Sequence, residues 1–258
     1  MADSSRSELG DFLRSRRERL SPEAVGLPAG RRRRALGLRR EEVAELAGIG
    51  VDWYIRLEQG RTISPSVTTV EALARALHLD SSEHAHLKAL TLSKGPRSFQ
   101  CERVPETLLR LILGLNQPAY ITGRRWDVLA WNAAAAELLT DFAKLPEEQR
   151  NILLYMLTDP AARQLFAEGW PAEARRMVAQ FRLTYDLWAG DPAFVTLADT
   201  LRQASGEFAA WWEAHEVRIA GSGRKVLYPP GQGPLHFEYA SFQANDDPAL
   251  KLSIYTRV

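Results

Sequence analysis

Apolar positions in the first ninety residues return at the i, i+3, i+4 intervals of helices, and the predicted elements follow one another closely. Leu9 to Leu20 is predicted as a helix with Phe12 and Leu13 inward and Arg14, Arg16, Arg17 and Arg19 outward. A long connection, broken by Pro22, Gly26, Pro28, Gly30 and Gly37, leads to a second helix from Arg40 to Gly48. There Val43, Ala44, Leu46 and Ala47 keep the helical spacing. The third helix runs from Val51 to Gln59 with Tyr54 and Leu57 three apart, and Gly60 stands where a left-handed C-cap belongs. Ser64-Pro65 starts a fourth, in the preferred cap-then-proline order, and a fifth spans Ser82 to about Leu92. The rhythm then breaks at Gly95, Pro96 and Pro105, which divides the chain into 1–95, a linker at 96–105, and 106–258.

Beyond the linker the period changes. PAYITG (118–123) and WDVLAW (126–131) read as a strand pair across a tight Gly123-Arg124 turn, and Asn132 offers an N-cap to the helix that follows. From Glu147 to Glu213 the pattern is helical, interrupted at Pro160, Pro171, Pro192 and Ser205-Gly206. Strand-like runs close the chain: VRIA (217–220), KVLYP (225–229), LHFEYASF (235–242) and LKLSIYTRV (250–258). In the last, Leu250, Leu252, Ile254 and Val258 share one face, while Lys251, Ser253, Tyr255 and Arg257 share the other. That period of two marks a half-buried antiparallel strand. The order predicts an α+β domain whose antiparallel sheet is covered by helices.

Composition narrows the class of protein. With 45% apolar and 25% charged residues, the chain reads as globular. No apolar run approaches the roughly 20 residues of a membrane span, and the charged N-terminal stretch lacks the core of a signal peptide. The expectation is a cytoplasmic protein with no membrane partner. A lone cysteine, Cys101, excludes an internal disulfide and a multi-cysteine metal cluster. The net charge of +1 hides an asymmetry: residues 1–40 hold eleven arginines against five acids, whereas residues 98–258 hold sixteen basic groups against nineteen acidic ones. A basic end on a weakly acidic body points to a polyanion partner at that end.

The stretch Leu38 to Arg61, LRREEVAELAGIGVDWYIRLEQGR, gives that partner a binding element. Two short helices that cross closely need a small residue on the packing face, supplied by Ala44, and a turn tolerant of positive φ, supplied by Gly48. Ile49, Tyr54 and Leu57 bury the inner side of the second helix and leave Val51, Asp52, Ile55 and Arg56 outward, a face that can lie in the major groove. This stretch resembles the helix-turn-helix of lambda-repressor/Cro-type (XRE) regulators, a five-helix all-α domain, over roughly residues 7–93. The resemblance implies that Val51, Asp52 and Arg56 read base edges and that Arg17 and Arg40 meet phosphates or neighbouring bases. Local chemistry agrees, since Arg56 can donate a bidentate pair to guanine, Asp52 can accept from cytosine, and Val51 can touch a thymine methyl. The alternative for Asp52 is to cap the third helix. Arg39 and Arg61 are further candidates for the DNA backbone. The connection between the first two helices is much longer than in the simplest members of this class. Its Arg31, Arg32, Arg33 and Arg34 could follow phosphates or enter a minor groove.

The C-terminal order is similar to a PAS-like sensor domain. LGDFLRSRRERLSPEAVGLP, the helix-turn-helix stretch and VLAWNAAAAELL together resemble the MmyB-like regulators of bacteria over nearly the whole chain. That resemblance implies a ligand-binding C-terminal domain and a fatty acid as the ligand class; no cofactor is expected. The residues permit an apolar pocket, with Trp131, Phe166, Trp170, Phe181, Phe208, Trp211, Trp212, Phe237 and Tyr239 as candidate lining, although aromatics at helical spacing also serve plain core packing. Arg182, His215 and Tyr239 are candidate partners for a carboxylate head group. A homodimer on a double-stranded operator is expected, because one helix-turn-helix reads a half-site.

Two other functions compete. In one, the C-terminal domain only dimerises or meets a protein partner. In the other it is an enzyme, but His84 and His86 point about 200° apart on their helix, GSGRK at 221–225 lacks P-loop spacing, and no GxGxxG occurs. No catalytic or metal-binding set emerges, and the reading is a regulator rather than an enzyme.

Overall fold

A computed structural model describes residues 2–28, 37–61, 65–92, 98–219 and 221–258. Arg31–Arg34, Ser64, Gly95 and Pro96 lie outside these residues. Two compact units emerge: residues 1–98 with 185–195 and 213–218, and residues 99–184 with 196–212 and 219–258.

The first unit is built on five helices, α1 (Ala2–Arg19), α2 (Arg40–Ala47), α3 (Val51–Glu58), α4 (Val67–Ala76) and α5 (Ser81–Leu92). Their apolar stripes meet in one core that includes Phe12, Leu13, Val43, Ala44, Tyr54, Leu57, Leu73 and Leu87. Local chemistry sets the helix ends. Gly48, at φ 66°, ends α2 with its N–H shared between the Ala44 and Glu45 carbonyls, as its place in the turn requires. Asp80 and Glu83 cap α5 reciprocally, each carboxylate accepting the other's backbone N–H at 2.8 and 3.0 Å. The cap of α4 is Ser66, whose hydroxyl accepts from the Thr69 N–H at 3.2 Å, so the helix begins at Val67, past the predicted Ser64-Pro65 start.

Short segments from late in the chain complete this unit. Val217 packs against its core, the Arg16 guanidinium donates to the His215 carbonyl, and His86 Nε2 meets Asp186 Oδ2 at 2.8 Å with both side chains buried. VRIA therefore forms no strand over its described residues: Val217 is drawn into a helical core, away from any strand neighbour. Burial pushes the Arg16 guanidinium down to about 10, against the pull of Glu83 at 3.2 Å.

The second unit contains α6 (Glu106–Leu113), β1 (Ala119–Thr122), β2 (Val128–Trp131) and α7 (Ala133–Leu138). A helical block follows: α8 (Ile152–Thr158), α9 (Pro160–Phe166), most of α10 (Trp170–Leu187) and of α11 (Pro192–Ala204), and α12 (Gly206–Glu213) up to Trp212. β3 (Gly223–Leu227), β4 (Leu235–Gln243) and β5 (Lys251–Arg257) complete an antiparallel sheet of order β2-β1-β5-β4-β3. Asn132 caps α7 as its position predicts, and it does more. Its Oδ1 accepts from Ala119 and Ala135 N–H groups at 3.1 and 2.9 Å, while its Nδ2 donates to the carbonyls of Ile112, Leu115 and Gln117. One buried amide thus ties α6, β1 and α7 together.

The sheet has two differently used faces. Ala119, Ile121, Ala130, Leu252 and Ile254 form an apolar cluster with Ile112 and Leu108 of α6. The alternate residues, Tyr120, Thr122, Lys251, Ser253 and Tyr255 among them, face a cavity. The polar side of β5 is therefore covered as well: Ser253 and Tyr255 are buried, and only the end of the strand, at Thr256 and Arg257, is exposed. Period two marks a change of environment from one face to the other, and here the second environment is polar but largely covered.

Candidate functional site

The DNA-reading candidates share the outer face of α3. Val51, Asp52 and Arg56 are exposed, whereas Tyr54, Leu57 and Glu58 are buried on the inner side. Gly50 is the N-cap of this helix, so Asp52 does not cap it; its carboxylate sits in the first turn, where the helix dipole favours an anion. Arg39 and Arg61 are exposed and Arg40 is half-buried.

Glu58 fixes how this face is presented. Its side chain is fully buried and accepts from Arg17 at 2.8 and 2.9 Å and from Arg40 at 2.9 Å, joining the last residue of α3 to α1 and to the start of α2. Burial opposes its charge, but the hydrogen bonds and attraction of the two arginines prevail and hold the carboxyl below the usual carboxylate range. The expectation for Arg17 changes accordingly. The residue is 7% exposed, and its guanidinium commits Nη1 to the Leu38 carbonyl and Nε and Nη2 to Glu58, and so serves the interior instead of a phosphate. Arg40 keeps an outward edge, with 40% of its side chain exposed.

The cavity in the second unit lies between the polar face of the sheet and α8, α9 and α10 and measures about 50 Å³. Leu139, Ile152, Met156, Phe166 and Met177 line its apolar part. Its polar part carries Glu173, Arg176, Lys225 and Lys251 with tyrosines 120, 155, 239 and 255. Glu173 is shared: Arg176 donates to it through Nε and Nη2, and Lys225 Nζ lies 2.7 Å from its Oε1. Burial raises its pKa, yet the two cations more than offset this, and the carboxyl stays below its ordinary range. Lys225 also sits 3.9 Å from the Tyr239 ring centroid. Lys251 lies 5.5 Å from the Trp126 ring, and burial, then Arg176 and Lys225, push its pKa down. Trp126 is held at φ 70°, unusual for a bulky residue, and its carbonyl accepts from the Ile152 N–H.

Of the predicted lining, Phe166 and Tyr239 reach the cavity. The others pack elsewhere. Trp131 lies against Phe142, Phe181 against Trp126 and Trp212, Phe208 stacks on Trp212, and Phe237 packs on Tyr255. Trp170 donates to the Met156 carbonyl at 2.8 Å, and Trp211 lies against Trp170. Arg182 is buried over the Trp212 ring and donates to its carbonyl, and His215 belongs to the first unit, so neither takes the predicted head-group role. Sequence reasoning missed Arg176, Lys225 and Lys251. The lysine on β5 was visible as one of an alternating polar set, but period two cannot tell solvent from an enclosed polar cavity.

Among the described residues no cluster of three or more His, Cys, Asp and Glu is placed to hold a metal, and no helix is long and apolar enough to cross a membrane. His84 meets Glu71 at 3.1 Å while His86 turns to Asp186, as their spacing predicts, and Cys101 is exposed.

A helix-turn-helix with an exposed second helix, followed by an α+β domain with a cavity of mixed polar and apolar lining, fits a DNA-binding transcription regulator with a ligand-binding C-terminal domain, and the family matches bear this out. Residues 8–87 match a helix-turn-helix domain family. Residues 104–257 match the MmyB-like transcription regulator ligand binding domain, and the chain belongs to that family. No curated protein matches the chain.

Proposed function

We propose that this protein is an operator-specific regulator whose C-terminal domain senses an apolar carboxylate of the fatty-acid class, and that it acts as a homodimer. The observation that carries the sensing half is the cavity, lined by both apolar and basic side chains, inside the domain that matches a ligand-binding family. At about 50 Å³ it is well below the roughly 300 Å³ of ordinary ligand sites, so an acyl chain must part its wall. Met156 and Met177, unbranched and adaptable, are the side chains suited to yield.

On the DNA side, Val51, Asp52 and Arg56 read bases, while Arg39, Arg40 and Arg61 bind the backbone. Ligand occupancy alters the placement of the paired reading helices and so changes operator affinity, by a coupling on the order of 1–3 kcal/mol. The test combines solvent extraction of the purified protein, analysed by mass spectrometry, with operator titrations in the presence and absence of the extracted species. A co-purified acyl compound that shifts operator affinity supports the reading. Absence of any bound lipid leaves dimerisation as the better account of the C-terminal domain, and a ligand without effect on the operator refutes the coupling.

A further inference from the structure

The face of the sheet that turns away from the cavity is covered over only part of its width. Ile112 and Leu108 of α6 close it over β1 and β2, where they pack with Ala119, Ile121 and Ala130. Across β5, β4 and β3 the same face stays open among the described residues. There the half-buried Ala240 and Ile254, cross-strand neighbours, line a groove of about 600 Å³ together with Phe242, which is 56% exposed. Arg224, Glu238 and Thr256 complete its lining on that face. α6 has an apolar surplus of its own. With Leu108 and Ile112 turned to the sheet, Leu109 and Leu113 share an outward flank one turn apart, and Leu113 is 60% exposed. Apolar groups left in water on both a helix and the groove beside it mark a surface built to be covered.

The charges on this surface say what covers it. Each part carries one cation and one anion, Glu106 with Arg110 on α6 and Arg224 with Glu238 at the groove, all at least half exposed. A surface so balanced gives no advantage to DNA or to an anionic membrane, and it complements a copy of itself. The dimensions agree. Eight residues make α6 about 12 Å long, close to the roughly 10 Å that separates β5 from β3. Building on the homodimer reading, we propose that this face is the dimer interface and that its occupant is a second copy of the chain. Leu109 and Leu113 of each copy seat on Phe242, Ala240 and Ile254 of the other, and the ion pairs of α6 meet those of the groove. Because helix and groove lie on one side of the same sheet, a two-fold axis exchanges them reciprocally, and every contact forms twice.

The test follows the mass of the full chain by sedimentation equilibrium in DNA-free solution, for the wild type, Phe242→Glu and Leu113→Glu. The wild type should sediment as two chains at micromolar concentration. Each variant should raise the dimer dissociation constant by about thirtyfold or more, since a central apolar anchor is lost at two equivalent places. Both side chains are exposed in the single chain, so circular dichroism should report an unchanged fold. Geometry is checked separately in a Cys101→Ser background. A mixture of Leu113→Cys and Phe242→Cys chains should be joined by a short bismaleimide, whereas neither variant alone should be. A dimer that survives either glutamate, or that links Leu113→Cys chains to one another, overturns this interface and leaves the homodimer reading standing. A wild-type chain that stays monomeric overturns both, and Phe242-dependent retention of that monomer on phosphatidylglycerol vesicles would assign the face to a lipid surface instead.

Discussion

At the scale of single residues, Glu58 and Arg56 sit two apart on α3 and answer to opposite demands. Glu58 is buried among Arg17 and Arg40, and removing one partner of such a network strands a charge in the interior. Glu58→Ala and Arg17→Ala should each lower unfolding stability by about 3 kcal/mol in denaturant titrations. Because the folded pKa of Glu58 is depressed, its contribution is complete above the unfolded value of about 4.3 and is lost as pH falls through the folded one. Unfolding midpoints should therefore drop on acidification below about pH 4, and Glu58→Gln should flatten part of that slope. Arg56→Ala should leave stability unchanged but weaken the operator by about 1–3 kcal/mol, measured as a loss of preference over unrelated DNA. The exposed residues of α3 were legible because amphipathic periodicity assigns faces directly. Arg17 was not: its charge suggests the surface, and only the arrival of a buried carboxylate from forty-one positions away turns it inward.

The elements show the same limit at larger spacing. Helix existence, the turn at Gly48 and the Asn132 cap were all readable, because each depends on residues within a few positions. The failures involve distance along the chain. VRIA has strand-like composition, yet Val217 finds its partners in the first unit. Between α1 and α3 the approach is so close that a Cβ on Gly10 would lie 2.3 Å from the Glu58 carbonyl oxygen. Gly10→Ala should thus cost roughly 1–3 kcal/mol or more and lower the thermal midpoint, although glycine is an ordinary liability inside a helix. The arginine-bearing connection remains a proposal about DNA. Alanine at Arg31–Arg34 should reduce the slope of log affinity against log salt by about 0.9 for each phosphate the loop no longer neutralises. An unchanged slope would remove the loop from the interface.

For the whole molecule, the pairing of a DNA head with a ligand domain predicts a measurable linkage. If a ligand changes operator affinity by some factor, operator DNA must change ligand affinity by the same factor, so the two titrations check each other. The two family matches cover both functions, whereas the polar chemistry of the cavity rests on a handful of side chains along four strands and two helices. Those strands carry a further consequence. Because Lys251, Ser253 and Tyr255 alternate with Leu252 and Ile254, every second position of β5 faces the cavity and the positions between belong to the scaffold. Substitutions in the first set can therefore reshape the cavity while the packing of the second set stays in place.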